Sequence, residues 1–194
     1  MKKLAALCLV ALLLTGCAVE GPDSVTAPEA APEMAGTFPG LGGTMPEMTF
    51  TTADGREMTL SGLLKEKELV VLNFWFENCG WCMREFPVME LAYQRYQEDV
   101  EIVALNPSDG AQRVKAFYEK NSLSFPMTAC PTTWATEAGV SAFPTSIYID
   151  RDGVVCLIHT GAITSPNVWY TLFDAFTGDD YQQKIYQSID ELIQ

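Results

Sequence analysis

An α/β architecture, with a central mixed β-sheet flanked by helices and an N-terminal β-hairpin, is predicted by three features of the sequence. Residues 69–76 and 100–105 are two nearly all-apolar runs, the pattern of strands buried on both faces of a parallel sheet. Between them Cys82, Phe86, Met89, Tyr93 and Tyr96 recur at steps of four and three, drawing one apolar stripe on a helix of about four turns. Residues 145–149 and 154–159 flank Asp150-Arg151-Asp152-Gly153, a turn joining antiparallel strands.

The chain begins with Lys2 and Lys3, an apolar run to Leu14, and then Thr15-Gly16-Cys17. This is an export signal over residues 1–16, too short to span a bilayer stably. Leu14-Thr15-Gly16-Cys17 resembles the lipobox of bacterial lipoproteins, which implies lipidation of Cys17 and cleavage before it. The alternative is ordinary secretion with an unmodified Cys17. Residues 17–47 hold Pro22, Pro28, Pro32, Pro39 and Pro46, many glycines and alanines, and no Lys or Arg. They read as a flexible tether behind the lipidated cysteine, with the folded domain at 48–194.

Within that domain, residues 48–52 and 57–60 flank Asp54-Gly55 and form the hairpin, after which Ser61 is expected to cap a short helix. The first buried strand, the striped helix and the second buried strand make a right-handed crossover unit. Residues 111–120 are expected to be helical with Val114, Phe117 and Tyr118 inward. Residues 125–128 suit a short edge strand and 132–138 a brief helix. The C-terminus carries a further helical stripe of Tyr181, Ile185, Ile189 and Leu192.

Composition narrows the functions. Of 194 residues, 48% are apolar and 19% charged, enough for one globular domain. A formal net charge of −13 would repel phosphate backbones, so nucleic acid is excluded as a partner. Export would remove Lys2 and Lys3 and leave the mature chain still more acidic, so attachment to an anionic membrane has to be lipidic. The single histidine, His159, leaves no material for a histidine metal cluster or for most histidine-dependent nucleophiles.

The chemistry is carried by Cys79-Gly80-Trp81-Cys82, placed where a buried strand ends and a helix begins. Unpaired N–H groups and the positive end of the helix dipole favour a thiolate at Cys79, which makes it the attacking sulfur. Cys82, one turn inward, can attack the resulting mixed disulfide and release the partner. A zinc site would need two further ligands from Cys130, Cys156 and His159, which offer no second close pair, so no metal is assigned.

Over nearly the whole mature domain the sequence resembles the thioredoxin superfamily, and more closely its exported TlpA/ResA-type members. The resemblance rests on Asn73-Phe74-Trp75, the Cys79/Cys82 pair, Glu85 and Pro87 in a C-x-x-C-x-x-E-x-P pattern, and Phe143-Pro144-Thr145 before a strand. It implies a thioredoxin-like fold and a thiol–disulfide oxidoreductase whose only redox group is the Cys79–Cys82 disulfide, without metal or organic cofactor. It further implies a cis-Pro144 that, with Phe143 and Thr145, receives an extended segment of the client; Trp81, between the two cysteines, could cover the disulfide or contact that client. Implied clients are proteins with disulfides or redox cysteines, such as apocytochrome c or methionine sulfoxide reductase, with a membrane thiol carrier as electron source and an extracytoplasmic, lipid-anchored location.

Departures from the family pattern sharpen these expectations. The buried carboxylate that cytoplasmic thioredoxins place six residues before the first cysteine is here Asn73, which exchanges no proton. Glu85 is therefore expected to be the acid/base group for Cys82, the alternative being a surface glutamate paired with a neighbour. In the implied topology Cys130 and Cys156 lie on opposite outer strands, several spacings of about 4.8 Å apart, and so should not be bridged. Both suit small buried apolar positions, although Cys130 at the active-site end of the sheet could serve as an extra redox thiol. A peroxidase of the same fold would need a hydroxyl residue where Phe76 stands. A disulfide-forming oxidant and a non-catalytic binding lipoprotein are the remaining alternatives.

Overall fold

The computed structural model describes residues 32–178. A five-stranded mixed sheet runs in the order β6-β5-β4-β7-β8, and a three-stranded antiparallel sheet, β1-β2-β3, precedes it. In the large sheet β4 (Leu69–Phe74), β5 (Val100–Asn106) and β6 (Met127–Ala129) are parallel, whereas β7 (Thr145–Asp150) and β8 (Val155–Thr160) run antiparallel to their neighbours. Both apolar runs read from the sequence are thus the two central parallel strands, buried at every position.

Strand periodicity sorts β4 between two cores. Leu69 and Val71 pack with α2 (Gly80–Tyr96), α3 (Ala111–Asn121) and α5 (Pro166–Phe176), through Phe86, Met89, Tyr93, Phe117, Trp169 and Phe173. Val70, Leu72 and Phe74 point the other way, toward Leu60 and Leu63 of α1 (Leu60–Glu66), Trp134 of α4 (Thr132–Glu137), and Met48 and Phe50 of β2 (Met48–Thr51). By the same alternation Asn73 falls on the α2 side, in register with Ser146 of β7.

Three expectations require correction or extension. The folded unit starts before residue 48: β1 (Glu33–Met34) pairs with β2, and Phe38 and Met45 are buried. Phe38 meets Phe74 and Trp134 edge to face at 5.8 and 6.1 Å, and the Gly42 and Met45 amides bond to the Val155 and Gly153 carbonyls. Proline and glycine here shape an irregular strap whose two apolar anchors the averaged composition concealed. Thr59, the last residue of β3 (Glu57–Thr59), caps α1 instead of Ser61: its hydroxyl accepts from the Gly62 amide at 3.1 Å, while the Ser61 amide donates to Glu47. The helix α5 was also not placed from sequence; Trp169, Phe173 and Phe176 at i, i+4 and i+7 form its buried face. The signal segment, Cys17, the first part of the tether and the stripe from Tyr181 to Leu192 lie outside the described residues.

Candidate active site

Six buried residues of β4 drive the chain to the carboxyl end of the sheet, where residues 75–79 turn into α2. That turn is pinned from both sides. The Trp75 amide bonds to the Leu105 carbonyl at 3.0 Å, and the Cys79 amide to the Phe76 carbonyl at 3.1 Å. The Glu77 amide donates to the Asp109 carboxylate at 2.8 Å, and Arg113 bonds to Glu77 at 2.8 Å.

Cys79 is the N-cap of α2 and is disulfide-bonded to Cys82, with their Cα atoms 5.3 Å apart. The Cys82 amide points at Cys79 Sγ at 3.1 Å, so an otherwise unpaired helix N–H stands ready to stabilise negative charge on that sulfur. Cys79 retains a little exposure, whereas Cys82 is fully buried. Of the two, Cys79 is the residue with remaining exposure, 6% against 0%.

The Phe143-Pro144 peptide is cis, and the Phe143 carbonyl oxygen lies 3.6 Å from Cys79 Sγ. Phe143 is half-buried, its ring edge-on to Phe76 at 5.2 Å. Pro144 and Thr145 are buried, and the Thr145 hydroxyl donates to the Ala142 carbonyl at 2.8 Å. Thr145 thus stabilises the turn that holds Pro144 and does not present its side chain outward. Trp81 is 58% exposed beside the disulfide, with the Arg84 guanidinium 4.7 Å from its ring centre. Arg84 as a brace for Trp81 was not read from the sequence, although an i, i+3 pair on one helix is the usual geometry for such a contact.

Glu85 is no surface residue: its relative exposure is 0%. One carboxylate oxygen, Oε1, accepts from the Ile163 amide at 2.9 Å; the other, Oε2, accepts from Asn73 Nδ2 at 3.0 Å. Burial raises its pKa from 4.5 to about 7, against the opposing effect of the two hydrogen bonds. Sequence reasoning proposed Glu85 but missed its partners. The clue was present, because Glu85 sits three residues after Cys82 and four before Met89, within the buried stripe, and Asn73 shares the face of Leu69 and Val71.

The other candidates separate from this cluster. Cys130 and Cys156 are not disulfide-bonded, as expected. Burial pushes the Cys130 thiol up to about 12, which makes it a poor nucleophile and argues against an extra redox role. Cys156 Sγ lies 3.4 Å from the Tyr148 carbonyl oxygen. His159 is on β8, opposite Ser146 of β7.

A protein-family model described as Redoxin matches residues 41–171. The chain is 35% identical over 130 residues to the thiol–disulfide oxidoreductase ResA of Geobacillus thermodenitrificans, covering 66% of this chain and 74% of that one. It is 30% identical over 122 residues to the thioredoxin-like protein YneN of Bacillus subtilis, covering 61% and 71%. Among solved structures, a Chlorobium tepidum protein carrying the provisional name thiol:disulfide interchange protein DsbE superposes with a TM-score of 0.58 at 28% identity, over 69% of this chain and 93% of that one.

Proposed function

Since the chain belongs to the redoxin family and is a thiol–disulfide oxidoreductase of TlpA/ResA type, we propose that it acts outside the cytoplasm from a lipid anchor at Cys17 and reduces disulfides of client proteins. The observation that carries the reading is the Cys79–Cys82 disulfide at the start of α2, with the Phe143 carbonyl beside Cys79 Sγ. The lipid anchor is supported by Leu14-Thr15-Gly16-Cys17 behind an apolar run. No described helix is long and apolar enough to cross a membrane.

In the reductive direction the Cys79 thiolate attacks one sulfur of a client disulfide. The client S–S bond breaks, a Cys79–client mixed disulfide forms, and the other client sulfur leaves as a thiolate. Glu85, as carboxylate, takes the proton of the Cys82 thiol. The Cys82 thiolate attacks Cys79 Sγ, closes the intramolecular disulfide and expels the second client sulfur, so that two electrons pass from enzyme to client. Phe143 and Pro144 offer backbone to an extended client segment, and Trp81 offers an apolar face. A membrane thiol carrier then returns two electrons to Cys79–Cys82, and apocytochrome c or methionine sulfoxide reductase are the clients suggested by the resemblance.

The test is the reduction potential of the pair, by equilibration in glutathione or dithiothreitol with thiol trapping. A value near or below about −250 mV, the region of thioredoxin, supports a reductant, and one near −120 mV overturns the direction in favour of a disulfide donor. A pair that forms no disulfide at any poise removes the oxidoreductase reading. Incorporation of labelled fatty acid that is abolished by Cys17→Ser tests the anchor.

A further inference from the structure

The amide of Asn73 spends both its hydrogens and none of its acceptor capacity. Nδ2 donates to Glu85 Oε2 at 3.0 Å and to Ser146 Oγ at 2.9 Å, while Oδ1 is buried without a hydrogen-bond partner. A buried, unpartnered acceptor is costly and rarely kept without a use. Here it belongs to a sheet side chain that donates to the carboxylate of Glu85, three residues after Cys82 on α2.

Glu85 itself is unevenly clamped. The Ile163 N–H on Oε1 is a backbone donor and cannot reverse. Oε2 is held by an amide that can turn over. When Glu85 is ionised, the present orientation serves it, with Nδ2 donating to Oε2. When Glu85 carries a proton on Oε2, that oxygen becomes a poor acceptor and a donor in need of a partner. Rotation of the Asn73 amide by half a turn places Oδ1 where Nδ2 now lies. Oδ1 would then accept from the Glu85 O–H and, after rotation of the hydroxyl, from Ser146 Oγ–H. Either orientation leaves one amide atom unpaired, so Glu85's proton tips the balance between them.

We infer that Asn73, anchored across the sheet by Ser146, is a positioning residue for the thiol exchange: its amide holds Glu85 Oε2 as a carboxylate and reverses to accept from it once the proton of Cys82 has arrived. This rests on the reading of Glu85 as the proton acceptor. It also explains the residue type, because an aspartate would face Glu85 with a like charge, and an apolar residue would remove a donor from the carboxylate. Among the described residues, few other groups that titrate act on Glu85. Tyr148 of β7 is the titratable neighbour from the sheet, its phenol raised by burial, by Glu85 and by Cys156 of β8. Cys82 is on Glu85's own helix, and neither Lys nor Arg acts on the carboxyl. Farther along α2, Glu101 of β5 is bonded to Tyr93 and Asp174 of α5 to Tyr96, about two and three turns away.

The experiment follows two signals through a pH titration of the oxidised wild type: the Glu85 side-chain carboxyl by carbon NMR and the Asn73 side-chain amide by nitrogen NMR. Both are expected to move with one midpoint. Asn73→Leu should raise the Glu85 midpoint by about one unit or more, and should move the pH profile of the Cys82 resolving step with it. Ser146→Ala, which loosens the anchor without touching Glu85, should raise it by less. Asn73 amide signals that stay flat through the Glu85 titration, or an unchanged midpoint in folded Asn73→Leu, overturn the role of Asn73 alone. If Glu85→Gln leaves the pH profile of the resolving step intact, the proton-acceptor reading fails and the role of Asn73 in the reaction falls with it. The wild-type titration needs no variant to fold.

Discussion

Replacing Glu85 by glutamine should make the oxidised protein less sensitive to a rise in pH from acid to neutral. Burial raises the Glu85 pKa from 4.5 to about 7, a displacement of roughly two and a half pH units at about 1.4 kcal/mol each. The folded state therefore binds a proton that the unfolded chain has already released. The associated stability is fully present below the unfolded value and is lost as pH rises through about 7. Integrated between about pH 5 and about pH 9, this costs the wild type about 2.5 kcal/mol. Glutamine keeps the shape and neutrality of the protonated carboxyl, so the variant escapes that loss. Urea unfolding of both proteins at the two pH values, in the oxidised form where neither Cys79 nor Cys82 titrates, measures the difference. The buried Glu101 is also raised, but it is present in both proteins and cancels. Equal pH dependence in wild type and variant would refute the claim that Glu85 is buried and proton-hungry.

The remaining expectations can be checked separately. Cys130, though partly exposed, should react with iodoacetamide far more slowly than Cys79 in the native reduced protein, because desolvation pushes its thiol up to about 12, and mass spectrometry showing both labelled at similar rates would contradict that raised pKa. Trp81→Ala should leave stability within about 0.5 kcal/mol, because the ring is exposed, yet lower kcat/KM toward a protein client by at least about fivefold; an unchanged client rate would remove Trp81 from the docking surface. Phe38→Ala should cost about 3–5 kcal/mol in denaturant unfolding, since its ring is enclosed by Phe74 and Trp134. A loss under about 1 kcal/mol would return this segment to the tether.

The large sheet was legible because its signals are local. Continuous apolar runs, a stripe at steps of three and four, and turn residues around Gly153 each follow from the period of one element. The active-site cysteines were legible for the same reason, being a short motif at a strand-to-helix junction. What escaped depends on contacts distant in the chain. Phe38 is 36 residues before Phe74 and is surrounded by glycine and proline, so its anchoring role arises only once the sheet exists. The place of Thr145 beside Pro144 does not reveal that its hydroxyl turns back to the Ala142 carbonyl. Sequence shows of Asn73 only that it exchanges no proton; its partners are remote, Glu85 12 residues on and Ser146 73 residues on.

The site treats its two sulfurs differently, and under the role proposed for Glu85 that asymmetry gives its burial a use. Cys79 has its stabiliser built in, since the Cys82 N–H and the α2 terminus support a thiolate there. Cys82 lies inside the first turn, fully buried, where charge is disfavoured. Its thiolate has to be generated at the moment of attack. Even for an ordinary thiol, which ionises near 8.5, transfer of the proton to a carboxyl near 7 would cost roughly 2 kcal/mol. A carboxyl left at 4.5 would add about 3 kcal/mol more, a few hundredfold in rate if the transfer limits the step. The same displacement that weakens the fold as pH rises from acid to neutral thus brings base and thiol toward matched proton affinity. Exposing Glu85 would recover stability and forfeit the match, whereas removing its two hydrogen-bond donors would carry the carboxyl past it, into a neutral form with no capacity to accept a proton.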